Sequence, residues 1–168
     1  MAEAYAKGLL EGYELLGAFS RTAEKTAALA ARTGCKACAS LDELLTLEPD
    51  YVVETASVEM VKRMALPVLS HGASLVLISI GALADEEFRA RVESAARENG
   101  VKVHLASGAV GGFDVLRTVT LMAQAQGLPE TAEIDGVKAV VDIYSRTSAI
   151  AGWSVVALLR NLASPIMM

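Results

Sequence analysis

Short apolar runs alternate with helical patterns along most of this chain, and that alternation restricts the fold more than any other feature. Residues 51–55 (YVVET), 75–80 (LVLISI) and 101–105 (VKVHL) each read as a strand. The first two are nearly continuous apolar runs, which suit a parallel sheet covered on both faces. Between the runs, residues 57–71 and 84–99 carry helical spacing, with Gly72 and Gly100 as stops. Upstream, residues 2–11 and 22–32 read as helices closed by Gly12 and Gly34, and residues 13–19 and 35–39 as short strands. Ser40-Leu41-Asp42-Glu43 has the form of a capping box and opens a short helix before Pro49. Pro67 lies inside the helical stretch 57–71, and its missing N–H predicts a kink or break there. Strand, helix, strand with connections of a few residues predicts an α/β fold built on a parallel sheet. The rhythm then changes to a helix over 113–126, a strand over 137–144 and a helix over 150–162. A boundary is expected between Ala106 and Gly112, giving domains over 1–106 and 107–168.

Composition narrows the class. The formal net charge is −5, so the Lys/Arg excess needed to displace counterions from nucleic acid is absent and no nucleic-acid partner is expected. A mean hydropathy of +0.40 raises the possibility of a membrane span. The strongest uncharged apolar stretch near the C-terminus, residues 147–159 between Arg146 and Arg160, falls short of the ~20 residues a span requires. It reads as a buried helix, and no membrane association is expected. The first residues, MAEAYAKGLLEGYELL, lack a basic segment leading into an apolar one and do not read as a secretory signal. The expectation is a soluble, cytoplasmic protein.

Several motifs could carry chemistry. Phe19-Ser20-Arg21 ends an early strand. In a dinucleotide-binding sheet, a small polar residue beside an Arg at that place leaves room and charge for a 2′-phosphate and leans toward NADP over NAD. On local sequence the stretch reads first as an ordinary strand-to-helix turn, with Ser20 as N-cap and Arg21 in solvent. Glu54-Thr55-Ala56-Ser57 and Ser79-Ile80-Gly81-Ala82 end two later strands, the edge where open α/β sheets bind ligands. Their small residues would admit a flat ring and ribose, or they serve only as turns and caps. Ser107-Gly108-Ala109-Val110-Gly111-Gly112 exposes backbone N–H groups to an anion, with Arg117 placed to pair a carboxylate, or it is a hinge. Cys35 and Cys38 form a lone C-x-x-C without the further ligands a zinc site needs, and no metal is expected. His71 and His104, the two histidines, read as structural, and no catalytic residue can be named. No G-x-G-x-x-G occurs, so the glycine-rich phosphate turn of a doubly wound nucleotide-binding fold is missing from the sequence.

Taken in order, VVETAS (52–57), MALPVLSHG (64–72), ISIGALAD (78–85) and SGAVGGFDVLR (107–117) resemble the L-aspartate dehydrogenases, over about residues 4–122. The resemblance implies a Rossmann domain for NAD(H) or NADP(H), followed by an α+β domain that binds substrate and forms a homodimer. It implies interconversion of L-aspartate, a dicarboxylic amino acid, with iminoaspartate, which hydrolyses to oxaloacetate and ammonia. By motif, Ser20 and Arg21 would lie near the adenosine end of the cofactor. Ala56, Ser57, Ser79, Gly81 and Ala82 would line the nicotinamide side. Ser107, Gly108, Ala109, Gly111, Gly112 and Arg117 would face the substrate. The family's catalytic histidine lies well after the GGFD helix, where this sequence has none.

The expected fold is therefore a Rossmann-like parallel sheet lacking its first strand and glycine-rich loop, followed by a partial substrate and dimerisation domain. The expected function is an NAD(P)-dependent aspartate dehydrogenase, shortened at both ends and compromised in turnover. The alternatives are a non-catalytic binding or dimerisation remnant, or a homoserine dehydrogenase-like enzyme, against which GALAD beside SGAVGG argues. An exposed sheet edge would also promote homo-oligomers.

Overall fold

A computed structural model of the chain describes residues 2–106, 133–134, 137–138 and 149–164. In chain order these form α1 (Ala2–Ala6), β1 (Gly17–Ala18), α2 (Ala23–Thr33), β2 (Lys36–Ala37), α3 (Leu41–Leu45), β3 (Tyr51–Glu54) and α4 (Val58–Ser70). There follow β4 (Ser74–Leu77), a 3₁₀ turn (Ile80–Ala84), α5 (Glu86–Glu98), β5 (Val103–Leu105), β6 (Glu133–Ile134), β7 (Val137–Lys138) and α6 (Ala149–Ala163). The expected helix over 113–126 lies outside the described residues, as does most of the expected strand over 137–144.

The main sheet has the order β3-β4-β5, all parallel, with Val52 opposite Leu75 and Leu75 opposite Val103. Parallel neighbours need crossovers, and α4 and α5 supply them. Side chains alternate across β4 and build two cores. Leu75 and Leu77 join Val52, Val61, Met64, Val68, Leu69, Phe88 and Val92 on the face covered by α4 and α5. Val76 faces the other way, into a cluster with Ala4, Leu10, Ala106, Val155, Val156 and Leu159 from the α1 and α6 side. The result is the α/β fold with a parallel sheet that the alternating pattern implied.

A second parallel pair, β1-β2, is hydrogen-bonded on its own, with Lys36 N–H donating to Leu16 O (2.9 Å) and Cys38 N–H to Ala18 O (2.8 Å). It is far shorter than the strands expected over 13–19 and 35–39. At Gly17 a Cβ would sit 2.7 Å from Leu47 Cδ1, so the backbone there passes close beneath the loop after α3.

Glycine ends the helices as its φ freedom predicts, but not always where apolar spacing suggests. At Gly8 (φ 69°), Gly72 (φ 85°) and Gly100 (φ 66°) the chain makes paired bonds of the Schellman type. The first of these closes α1 after Ala6, five residues before the expected end, because Gly8 N–H bonds to Tyr5 O and Leu9 N–H to Ala4 O. Strand ends shift as well. β4 stops at Leu77 because residues 80–84 wind into the 3₁₀ turn, and β5 begins at Val103 rather than at residue 101. The capping box forms, with a difference in its return bond. Ser40 Oγ accepts from Glu43 N–H (3.1 Å), while the Glu43 carboxylate takes Ala39 N–H (2.8 Å) and pairs with Lys36 (2.8 Å).

Pro67 does not break α4, since the helix runs on to Ser70. Pro67 is exposed, whereas Met64, Ala65, Val68 and Leu69 on the opposite face are buried against the sheet. Burying four apolar side chains outweighs the proline penalty. Pro67→Ala is therefore expected to raise the urea midpoint, by up to about 3 kcal/mol of unfolding free energy. Leu69→Ala, at a fully buried site, should lower it by roughly 2–5 kcal/mol in the same measurement.

Candidate functional site

Parallel sheets leave a crevice beyond the carboxyl ends of their strands. Here that edge is made by the segments after β3 and β4. Glu54 ends β3, and the chain then turns through the exposed Thr55, Ala56 and Ser57 into α4. Ser57 is the N-cap, its hydroxyl accepting from Met60 N–H at 3.2 Å. After β4 the chain passes through Ile78 and Ser79 into the 3₁₀ turn.

A carboxylate ties the two segments together. Glu54 is only 2% exposed. Its Oε1 accepts from Ala56 N–H and from the Ser79 hydroxyl (3.0 Å), and its Oε2 accepts from Ser79 N–H (3.0 Å). Ala56 and Ser79, placed on one site by sequence, are thus joined by a side chain that sequence reasoning did not single out. A signal existed: a lone acidic residue closing an otherwise apolar strand run. A buried carboxylate is costly unless hydrogen-bonded, and these three donors meet that cost.

Gly81 is exposed and borders the first turn of α4. A Cβ there would lie 3.5 Å from Val58 Cγ2, an ordinary contact, so the chain's own packing does not demand glycine. Ala82, expected beside it on the crevice, is fully buried in the core on the α4 and α5 side. Its side chain packs inward, because the 3₁₀ turn rotates successive residues between solvent and core. Lys62 from α4 pairs with Asp85 at 2.8 Å, and Asp85 also caps α5 through Phe88 N–H (3.1 Å), fixing the far side of this turn.

Ser20 and Arg21 follow β1, in the separate two-stranded sheet. Ser20 is not the helix cap; Thr22 holds that position. The Ser20 hydroxyl instead lies 2.8 Å from Thr26 Oγ1, 3.0 Å from Thr22 O and 3.3 Å from Thr22 N. Arg21 is exposed and makes no ion pair among the described residues. No hydrogen bond links this pair to the β3 and β4 edge among the described residues. Ser107, Gly108, Ala109, Gly111, Gly112 and Arg117 lie outside the described residues.

Comparison with known proteins decides the family. Residues 2–106 match the family described as homoserine dehydrogenase, NAD binding domain. The L-aspartate dehydrogenase of Methanocaldococcus jannaschii is 33% identical over 114 residues, 68% of this chain and 43% of that protein. The L-aspartate dehydrogenase of Archaeoglobus fulgidus is 43% identical over 76 residues, 45% of this chain and 32% of that protein. The chain belongs to the aspartate dehydrogenase family. A crystal structure of aspartate dehydrogenase from Thermotoga maritima matches 98% of this chain and 94% of its own with a TM-score of 0.63, at 23% identity, which shows a shared fold. This aspartate dehydrogenase-family chain spans about half the length of curated relatives it matches, 43% and 49% for the first two.

Cys35 and Cys38 are buried free thiols, and burial pushes the Cys38 thiol above its ordinary range, away from the reactive thiolate. Among the described residues no cluster of His, Cys, Asp and Glu could hold a metal, and no helix is long and apolar enough to cross a membrane. His71 is the exposed C-cap of α4. His104 lies on β5 with its ring 5.9 Å from that of Tyr51, which in turn meets Tyr13 edge-on at 6.0 Å.

Burial, and then the nearby Lys102 ammonium, lower the His104 pKa below the usual imidazole value. The unfolded chain therefore takes up the proton more readily than the folded one. The stability contributed by neutral His104 is present above the unfolded value of about 6.5 and is lost as pH falls below it. His104→Gln should flatten the fall in urea midpoint between about pH 7.5 and 5.5 relative to the unsubstituted chain.

Proposed function

We propose that residues 2–106 form the nicotinamide-cofactor domain of an NAD(P)-dependent oxidoreductase acting on the CH–NH2 carbon of a dicarboxylic amino acid, L-aspartate. The observation that carries this reading is the paired strand-end edge. Two small-residue turns are locked side by side by Glu54, and Gly81 is bare at their rim although the fold would accept a side chain there. The exposed Ala56, Ser57 and Gly81, with Ser79 at the edge, fit a flat ring and ribose. Ser20 and Arg21 fit the adenosine end.

A bound nicotinamide would supply the hydride acceptor or donor. The chain's own work is to hold it in place, because positioning is most of what a protein adds to hydride transfer. Ser57 presents the N-terminus of a 13-residue helix, whose free N–H groups and dipole favour an anionic or carbonyl oxygen. Ser107, Gly108, Ala109, Gly111 and Gly112 would offer backbone donors to one substrate carboxylate, and Arg117 a guanidinium. The substrate assignment rests on the named relatives, each an L-aspartate dehydrogenase.

Arg21, exposed and without an ion pair among the described residues, supports a preference for NADP over NAD. Titration by reduced-nicotinamide fluorescence should give micromolar binding, with NADPH tighter than NADH. Arg21→Ala should erase a difference of about tenfold, roughly 1.4 kcal/mol. No binding of either nucleotide up to millimolar would overturn the reading.

A second reading is a non-catalytic binding module of the same family. It is favoured by one observation: no hydrogen bonds join the β1-β2 and β3-β4-β5 sheets among the described residues. Cofactor binding without aspartate-dependent reduction of the nucleotide would support it over the first.

A further inference from the structure

Glu54, which joins the two turns, stands in an unfavourable place for a carboxylate. It sits in register opposite Leu77, on the same side of β3 as Val52, where the core asks for an aliphatic side chain. A valine or leucine would fill that place without the desolvation of a charge. No cation pairs with it among the described residues. All three of its donors come from the two strand-end segments, and two of the three are the main-chain N–H groups of Ala56 and Ser79. The carboxylate therefore acts on backbone direction. It draws both amides inward, and so fixes which atoms of the two turns face the crevice and how far apart the turns stand.

We propose that Glu54 is a positioning residue that sets the two strand-end turns in register to receive the nicotinamide end of the cofactor. The proposal rests on the cofactor reading above, which assigns that end to these turns. Glu54 itself is buried beneath them and touches no ligand. Its effect should therefore be confined to the ring and its ribose, leaving the adenosine end at Ser20 and Arg21 unaltered.

The test uses the full chain and two variants. Glu54→Gln has nearly the same shape, but its amide nitrogen must face an N–H donor at either Ala56 or Ser79. Glu54→Asp keeps the charge and loses the methylene that lets one carboxylate span both strands. Amide hydrogen exchange without ligand should show Ala56 and Ser79 losing protection together in both variants, with the amides within β3 and β4 unchanged. NADPH should bind the variants at least about tenfold more weakly, while 2′-phospho-ADP-ribose, which lacks the ring, should bind as it does to the unsubstituted chain.

A purely structural role would weaken both ligands in parallel, and that outcome overturns the proposal. So does a Glu54→Asp chain with normal exchange and normal NADPH affinity. If the unsubstituted chain binds 2′-phospho-ADP-ribose but gains nothing from the ring, the assignment to the nicotinamide end is wrong. If it binds neither, the cofactor reading fails and the proposal falls with it, a result recognisable before any variant is made. Should Glu54→Gln not fold, Glu54→Asp alone provides the same comparison.

Discussion

The side chains of Leu75, Val76 and Leu77 are all withdrawn from solvent and point alternately to opposite faces of β4. That two-sided burial organises the molecule. One face needs a cover that α4 and α5 provide, and the other needs the helices before and after the sheet, α1 and α6. A strand buried on both faces cannot lie at a surface, so β4 is the middle of its sheet, with β3 and β5 parallel on either side. Parallel pairing then requires the chain to return to the same end after each strand. The three strands of this sheet therefore finish at one edge, where the two small-residue turns lie.

At this edge the fold meets a conflict and resolves it with one residue. Strand ends leave amides with no partner in the ladder, and loops usually give them to water. Here two of them go to a buried carboxylate. Glu54 hydrogen-bonds both turns from below, and Ala56, Ser57 and Gly81 are exposed above it.

Much of this was legible beforehand. The three main strands, the helices around Val61 and Val92, the Ser40 and Ser57 caps and the glycine stops each follow from local chemistry: apolar runs, hydroxyls before helices, positive φ. The misses have a common cause. Leu9 and Leu10 continue an apolar spacing that suggests helix, yet their burial is earned by packing on α6 and the sheet after Gly8 has already turned the chain. Pro67 predicts a break that one-sided burial overrides. Ala82 looks like a rim residue because it follows Gly81, and only the winding of the 3₁₀ turn sends it into the core. Glu54 was in view as a letter in VVETAS, but its meaning depends on Ser79, 25 positions away.

By itself, the sequence determined the class of the fold, the cap at Ser40, the stops at Gly34, Gly72 and Gly100, and the family its motifs indicate. These depend on neighbours within a few residues, where hydrophobic period and backbone freedom decide. Tertiary structure alone decided which turns share an edge, which small residues face out of the crevice, and that a buried carboxylate holds them. Those are distances between segments remote in the chain, and no local preference encodes them. They follow from the one arrangement that buries β4 on both sides.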